Sequence, residues 1–278
     1  MNSIRAVFLN LFYYTGMALF CRKLTMRRGK YVLMFHGVSS VKRPDIDSLA
    51  QPHLSKDEFE SIIFWLKKNF NFLNPNDLMD SKKDGVLLTF DDGFYNNFSN
   101  VLPLLTKYSI PGLFFIPTQH VENPKDWLHF IKIKAEKNVD LFGLNNNTQS
   151  DLFDGISKEN LVKMASNPLV TIGSHSISHP LLSKCYKVDL VNELVNSKKY
   201  LESITGRSVK YLAYPFGDYN EKVINAVKES GYELAFGTDK TYNLGQLNFE
   251  IPRIGIYSNK TPYLAAKLSG LYSSPIIL

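Results

Sequence analysis

Two short segments, LLTFDDG and IGSHSISH, place acidic and imidazole side chains directly after hydrophobic runs. The first carries Asp91 and Asp92, and the second carries His175 and His179. One carboxylate and two imidazoles can hold a divalent metal on three protein ligands and leave one coordination position open for water. These residue types therefore predict the centre of a metal-dependent hydrolase.

Asp91 and Asp92 are neighbours, and neighbouring residues on a strand point to opposite faces of a sheet. Gly93 can adopt backbone angles that other residues avoid, so a turn at this point can bring both carboxylates to one pocket. Two close carboxylates repel each other unless a cation lies between them, which favours Asp92 as a metal ligand and Asp91 as a general base. The structural alternative is that one of them caps the following helix.

His175 and His179 have the spacing that puts two side chains on one face of a helical turn. Pro180 disfavours helical geometry at His179, so the turn is expected to be short. Two imidazoles and one carboxylate suit zinc, and also non-haem iron, cobalt or nickel. Either histidine alone could equally be a packed core residue, and the neighbouring Asp pair is what favours metal binding.

The motifs TFDDG and H-x-x-x-H, in this order, resemble the polysaccharide deacetylase family, the NodB-homology domain of carbohydrate esterase family 4. The opening VLMFHGV, which contains His36, resembles the branch that includes exported poly-N-acetylglucosamine deacetylases. The resemblance covers residues 31–256. It implies a metal-dependent hydrolase that removes N-acetyl groups from amino sugars of a glycan, with zinc as the expected metal and cobalt or nickel as alternatives.

The resemblance also implies a role for each motif residue. The metal ligands are three side chains from the two motifs: Asp92, His175 and His179. The general base is Asp91. The stretch AYPFG matches the family's third motif, and its residues Tyr214, Pro215 and Phe216 could supply a backbone N–H to the oxyanion and a wall for the sugar ring.

Two positions depart from the family pattern. The third motif usually carries an arginine where this chain has Ala213, and the usual late histidine is missing because no histidine follows His179. In the similar branch the acid is the early histidine, here His36, which would protonate the leaving amine. Arg253 is expected to replace the missing arginine and to orient Asp91 through a charge-assisted hydrogen bond. A core histidine and a surface salt bridge are the structural alternatives for these two residues.

Three aromatic residues, Trp127, Phe94 and Tyr95, could form a rim that stacks on sugar rings, although core packing is the default for each of them. The remaining histidines lie in no motif and are interpreted as structural: His53, His120 and His129.

Short β-rich runs alternate with helical patterns, which predicts an α/β fold with a parallel sheet. The predicted strands are 31–36, 86–90, 112–116, 170–174, 211–214, 233–236 and one near Arg253. They fit a distorted, incomplete (β/α) barrel with about seven parallel strands, in which the chemistry lies at the carboxyl ends of the strands. Ser55 and Glu58 form a capping box before one helix, and 188–201 and 220–230 predict two more. The stretch 120–167 is less regular and is interpreted as an insertion over one rim.

A length of 278 residues fits one large α/β domain or two small ones. The composition, with 44% hydrophobic and 21% charged residues, is typical of a soluble globular protein. The net charge of +6 is not accompanied by a nucleic-acid-binding motif, so no nucleic-acid partner is expected. Cys21 and Cys185 provide neither a disulfide framework nor a C-x-x-C zinc site.

The first 30 residues form a separate segment, followed by the deacetylase-like domain at 31–278. Residues 4–21 are apolar and aromatic, and a basic group follows: Arg22, Lys23, Arg27 and Arg28. The run is short for a membrane span and lacks the cleavage site of a signal peptide. It predicts a helix that lies on a membrane surface or packs against the domain. This favours a cytoplasmic or membrane-peripheral location and leaves export open.

Two other function classes remain at this point. A 2-His-1-carboxylate iron oxygenase usually places its carboxylate two residues after the first histidine, where this chain has Ile177, and uses a β-sandwich scaffold. A catalytically inactive glycan-binding module is compatible with Ala213 and with the missing late histidine.

Overall fold

The centre of the molecule is a parallel sheet. A computed structural model describes residues 3–18, 20, 29–40, 42, 53–80, 82–126, 146–238 and 248–269. In chain order the strands are β1 (Lys30–Phe35), β2 (Val38–Ser39), β3 (Leu54–Ser55), β4 (Gly85–Phe90), β5 (Gly112–Ile116), β6 (Val170–Ser174), β7 (Tyr211–Ala213), β8 (Leu234–Phe236) and β9 (Ile254–Gly255). β2 and β3 form a short pair, and the other seven form one sheet in the order β8-β7-β6-β5-β4-β1-β9. All neighbours in this sheet are parallel, and each of the seven predicted strands overlaps or adjoins one of its strands.

The sheet curls so that both of its edges meet one short segment. Ile251 makes a parallel bridge with Phe236 of β8, and a few residues later Ile254 pairs with Leu33 of β1. Alternate strand residues face the inside of the curl and form a core of their own, which includes Val32, Leu87, Leu113, Phe115, Tyr211 and Ala213. The distorted, incomplete (β/α) barrel predicted from the sequence is confirmed.

Helices surround the outer face of the sheet. In chain order they are α1 (Ser3–Tyr14), α2 (Lys56–Asn69), α3 (Leu102–Tyr108), α4 (Asn146–Phe153), α5 (Lys158–Ala165), α6 (Lys187–Thr205), α7 (Glu221–Glu229) and α8 (Thr261–Lys267). The predicted capping box of α2 is present, because Ser55 accepts from the Glu58 amide and Glu58 accepts from the Ser55 amide. α1 packs against α8. Within the described ranges, no helix has both the length and the apolar character needed to cross a bilayer.

The interpretation of 120–167 as a rim insertion is wrong for residues 158–165, which form α5. α5 packs against both β6 and α6, so it forms part of the crossover between β5 and β6. The apolar residues Leu161, Met164 and Ala165 are buried on one face of this helix. The helix is only two turns long, and this shortness made its periodicity hard to recognise.

Candidate metal centre and active site

The predicted site residues gather at the carboxyl ends of three strands. His36 follows β1, Asp91 and Asp92 follow β4, and His175 follows β6. Since β1 and β4 are neighbours in a parallel sheet, these strand ends open on the same side of the curl. All of these side chains are largely buried. The curl therefore brings together the two sequence segments from which the metal site was predicted.

The turn after β4 directs the two carboxylates differently. Asp91 continues the inward alternation of Leu87 and Thr89, so its side chain points into the curl. Asp92 and Gly93 both have left-handed φ angles, 71° and 59°. This turn brings the Asp92 carboxylate to the histidines at the mouth of the barrel, as expected from the glycine after the pair.

Three ligand atoms form a nearly regular triangle. The Oδ1 atom of Asp92 lies 3.4 Å from Nε2 of His175 and 3.4 Å from Nε2 of His179, and the two Nε2 atoms are 3.2 Å apart. Donors held about 2.0–2.1 Å from a tetrahedral zinc ion are about 3.3 Å from one another. The three side chains therefore fit a divalent metal of this size and leave the fourth tetrahedral position open.

The ring of His175 is fixed in the tautomer that suits a metal ligand. Its Nδ1 atom lies 2.8 Å from the carbonyl oxygen of Ala213, which can only accept, so Nδ1 carries the proton and donates. The lone pair of Nε2 then faces Asp92 and His179. Such contacts from behind a ligand orient the ring and raise its basicity.

His179 reaches the site through a loop, and the predicted short helical turn is wrong. Residues 175–180 are not helical, and φ is 66° at Ser176 and 57° at His179. The Ser176 hydroxyl accepts from the His179 amide, and the Ser174 hydroxyl accepts from the Ser176 amide. Pro180 excludes the helical alternative, and the left-handed residues bring the rings together instead.

The electrostatics keep both carboxylates ionised. Burial would raise the pKa of the Asp92 carboxyl, but its contacts with the imidazoles of His175 and His179 outweigh burial and hold that pKa well below its usual range. Burial likewise opposes ionisation of Asp91, and the charge of Arg253 outweighs it and lowers the pKa of Asp91.

Arg253 makes the predicted contact with Asp91. Its Nη1 and Nη2 atoms donate to the two carboxylate oxygens over 2.6 and 2.7 Å, a bidentate geometry. The guanidinium is fully buried, and its Nε atom also donates to the carbonyl of Gly237. The alternative of a surface salt bridge is therefore wrong.

His36 lies on the other side of Asp92 from the two ligand histidines. Its Nε2 atom is 4.0 Å from Oδ2 of Asp92, and its ring stacks on Tyr257 at a centroid distance of 6.1 Å. His53, which was interpreted as structural, is buried beside it. A Cβ atom at Gly37 would lie 2.4 Å from the His53 ring, so only glycine lets this imidazole pack against the turn after β1.

The AYPFG motif contributes differently from the prediction. The Tyr214 ring is buried in the outer core and its hydroxyl donates to the carbonyl of Phe249, so its side chain does not line the site. The Tyr214 amide donates to Phe236, and the Gly217 amide donates to Tyr214. Phe216 is exposed, and its ring lies edge-on to His179 at 4.5 Å.

Of the aromatic rim, Phe94 is buried against His53 and cannot stack on a sugar. Tyr95 is only partly buried, and Trp127 and His129 lie outside the described residues.

Two further residues at the site, Glu193 and Tyr257, were not predicted because neither lies in a sequence motif. Glu193 hydrogen-bonds to the loop that carries His179.

The comparisons with known proteins agree with this geometry. The sequence model described as polysaccharide deacetylase matches residues 79–235. A poly-beta-1,6-N-acetyl-D-glucosamine N-deacetylase of Staphylococcus aureus (strain MSSA476) is 29% identical over 229 residues, which cover 79% of this chain and 73% of that protein. The YxkH protein of Bacillus subtilis (strain 168) is 26% identical over 216 residues, 75% of this chain, and the match spans 64% of its length.

Two solved structures share the fold. The Streptococcus pyogenes deacetylase PplD in complex with acetate has a TM-score of 0.67 at 20% identity, with 87% of this chain and 98% of that chain covered. IcaB from Ammonifex degensii has a TM-score of 0.66 at 21% identity, with 87% and 97% covered.

Replacing Arg253 with methionine leaves the Asp91 carboxylate buried without its partner. We expect the free energy of unfolding to fall by about 3–5 kcal/mol at pH 7. Because the Arg253 pairing lowers the folded-state pKa of Asp91, its stabilisation is present above the unfolded-state pKa of about 3.9 and is lost as pH falls through the folded-state pKa. Urea denaturation with a chelator present should therefore show a larger loss at pH 7 than at about pH 3.

The matched control is Arg207→Met, since Arg207 is an exposed arginine that hydrogen-bonds to one carbonyl, that of Val170. For this variant, the free energy of unfolding should stay within about 0.5 kcal/mol of the wild-type value at both pH values. Similar losses for Arg207→Met and Arg253→Met would contradict the role of the buried pair.

Proposed function

Because this chain belongs to the polysaccharide deacetylase family, we propose that it is a metal-dependent hydrolase that removes N-acetyl groups from amino sugars of a glycan. The observation that carries the proposal is the triangle of ligand atoms from Asp92, His175 and His179 beside the Asp91–Arg253 pair. A divalent metal held there, zinc by its donor set and with cobalt or nickel as alternatives, would polarise the acetamide carbonyl and acidify the attacking water.

Asp91 is the general base. Arg253 keeps it ionised and fixes its carboxylate plane, and each carboxylate oxygen retains a lone pair that the guanidinium does not use. Asp91 takes a proton from the attacking water while the water oxygen bonds to the acetamide carbon.

His36 is the general acid. Of the two histidines near this side of Asp92, His53 is unsuitable because burial, together with the charge of His36, lowers its pKa to about 4 and keeps it neutral. His36 lies at the mouth of the curl and donates its proton to the sugar nitrogen as the carbon–nitrogen bond breaks. Acetate and the free amine are the products.

The amide of Phe216 is the oxyanion donor in this proposal. Within the AYPFG turn, Pro215 has no N–H, and the amides of Tyr214 and Gly217 already donate to backbone carbonyls. Phe216 has a left-handed φ of 59°, and its ring contacts the ligand His179. The contact of the Phe216 ring with His179 supports a donor close to the proposed metal ligands, with the exposed ring as a wall for the sugar.

The substrate class is an N-acetylglucosamine polymer. Support comes from the Staphylococcus aureus relative, a poly-beta-1,6-N-acetyl-D-glucosamine N-deacetylase. An iron oxygenase is disfavoured, because the carboxylate ligand here comes from a different strand than the histidines and the scaffold is a (β/α) barrel. An inactive glycan-binding module remains the competing function.

The proposal is tested by metal content and acetate release. Purified protein loaded with zinc should hold one equivalent and release acetate from N-acetylglucosamine oligomers, and chelation should abolish release. Bound metal without acetate release from any N-acetylated glycan would favour the binding module. Failure of the wild-type chain to bind zinc, cobalt or nickel would contradict the metal site itself.

Asp91→Asn tests the base. The variant should retain zinc, because Asp92, His175 and His179 are intact, while kcat falls by about 10²- to 10⁴-fold. Zinc stoichiometry and thermal unfolding are measured on the same samples, since the change also weakens the pair with Arg253. Retention of most activity in a folded, zinc-loaded variant would show that another group takes the proton.

We further propose that α1 rests on an anionic membrane surface. Val7, Phe8, Leu11 and Tyr14 share one face of the helix and are each more than half exposed, whereas Leu9 on the opposite face is buried. The basic group Arg22, Lys23, Arg27 and Arg28 follows in the sequence, outside the described residues, and would complement anionic headgroups. The membrane-peripheral location expected from the sequence stays a prediction.

Sedimentation with vesicles of phosphatidylglycerol and phosphatidylcholine measures this contact. We expect Val7→Asp/Leu11→Asp to reduce vesicle binding at least 10-fold. The control is Val162→Asp/Val188→Asp, which changes two valines that are exposed on α5 and α6. A wild-type chain that stays in the supernatant would contradict the membrane proposal.

A further inference from the structure

The loop that carries the second histidine ligand is held by one acidic side chain from α6. Oε2 of Glu193 accepts from the amides of Ile177 and Ser178 over 2.7 and 2.9 Å. Oε1 accepts from the Ser178 hydroxyl over 2.6 Å. Among the described residues, the three hydrogen bonds that Glu193 accepts all come from this loop.

We infer that Glu193 is a positioning residue that holds the loop between His175 and His179 in its metal-binding conformation. The inference rests on the proposed metal site and adds a residue that does not itself touch the metal. It acts through the backbone of two residues, Ile177 and Ser178, that lie between the two ligands.

The loop needs such a partner because its backbone is strained. Ser176 and His179 both have left-handed φ angles, which cost about 1–3 kcal/mol each for residues other than glycine. The carbonyls of Ser176 and Ile177 are held by amides of the loop after β5. Glu193 accepts from the two successive amides of Ile177 and Ser178, so the loop is fixed through both its carbonyls and its amides.

The bonds to Glu193 are strong for their type. A carboxylate that accepts from backbone N–H groups makes charge-assisted bonds, which are shorter and about twice as strong as neutral ones. Two amides converge on a single oxygen, so a shift of the loop would weaken both bonds together.

The segment of α6 that carries Glu193 is firmly packed. Leu190 and Leu194 on either side of Glu193 are fully buried, which anchors α6 against the sheet. One helical turn later, the hydroxyl of Ser197 contacts the hydroxyl of Ser174 over 2.8 Å, at the end of β6. The same face of α6 therefore holds the strand end before His175 and the loop before His179.

The test compares zinc affinity in three variants of the full chain, measured by competition with a chromophoric chelator. Glu193→Ala should weaken zinc binding about 10- to 100-fold. Glu193→Gln keeps an acceptor oxygen for the amides and should recover most of the affinity. At saturating zinc, kcat of both variants should return to within a few-fold of wild type, because Asp91 and His36 are untouched.

Glu202→Ala is the matched control. Glu202 lies on the same helix and accepts from the amide of Val209 over 2.9 Å, far from the ligands in the chain. Glu202→Ala should lower thermal stability about as much as Glu193→Ala does, and it should leave zinc affinity within about two-fold of wild type.

Two results would overturn the inference. One is equal zinc affinity in Glu193→Ala and wild type, and the other is an equal loss of affinity in Glu193→Ala and Glu202→Ala. A wild-type chain that does not bind zinc would instead contradict the proposed metal site, so the two failures are distinguishable.

Discussion

The buried pair of Arg253 and Asp91 connects the closure of the barrel with the chemistry at its mouth. Arg253 lies in the segment that bridges β8 and β1, and it donates to Asp91 after β4 and to the carbonyl of Gly237 after β8. A buried carboxylate without a cation would take up a proton and could no longer act as a base, and a buried guanidinium without an anion would cost several kcal/mol. Each residue therefore requires the other, and the curl of the sheet brings them together.

Strain in the backbone is concentrated around the same site. Of the five described non-glycine residues with left-handed φ, all but Ser109 lie at the candidate metal centre: Asp92, Ser176, His179 and Phe216. Such conformations persist only where surrounding contacts fix them. Here the contacts include hydrogen bonds from the loop to Ser174 at the end of β6 and to Glu193 of α6. They would preorganise the triangle of Asp92, His175 and His179 atoms for the proposed metal.

The parts of the molecule that could be predicted from sequence are those whose signal is local. Hydrophobic runs that end in Asp or His mark strand ends, and these gave the sheet, the ligands and the position of the site. The predicted role of the Tyr214 side chain at the site is wrong because the prediction did not consider which residues of β7 face inward. Tyr211 and Ala213 face the inside, so the alternation of the strand sends Tyr214 outward into the helix-covered core.

Contacts between distant parts of the chain left no such signal. Glu193 lies in an ordinary helical pattern, and only the packing of α6 against the end of β6 shows that its carboxylate meets two loop amides. The position of His53 was equally hard to predict, because its place beside His36 depends on the absence of a side chain at Gly37. In both cases the informative partner is a backbone group, whose position residue types do not reveal.

The departures of this chain from its family pattern are consistent with one another. Ala213 faces the barrel interior, where the family arginine would stand, and Arg253 reaches the same interior from the opposite edge of the sheet, with its guanidinium over the Phe115 ring. Two guanidinium groups around one buried carboxylate would leave an unpaired positive charge in a site that we propose also accepts a divalent cation. Alanine at 213 and arginine at 253 are therefore complementary, and the Ala213 backbone is left to hold His175 through its carbonyl oxygen. Arg253, 40 positions later in the chain, thus provides beside Asp91 the positive charge that Ala213 cannot provide.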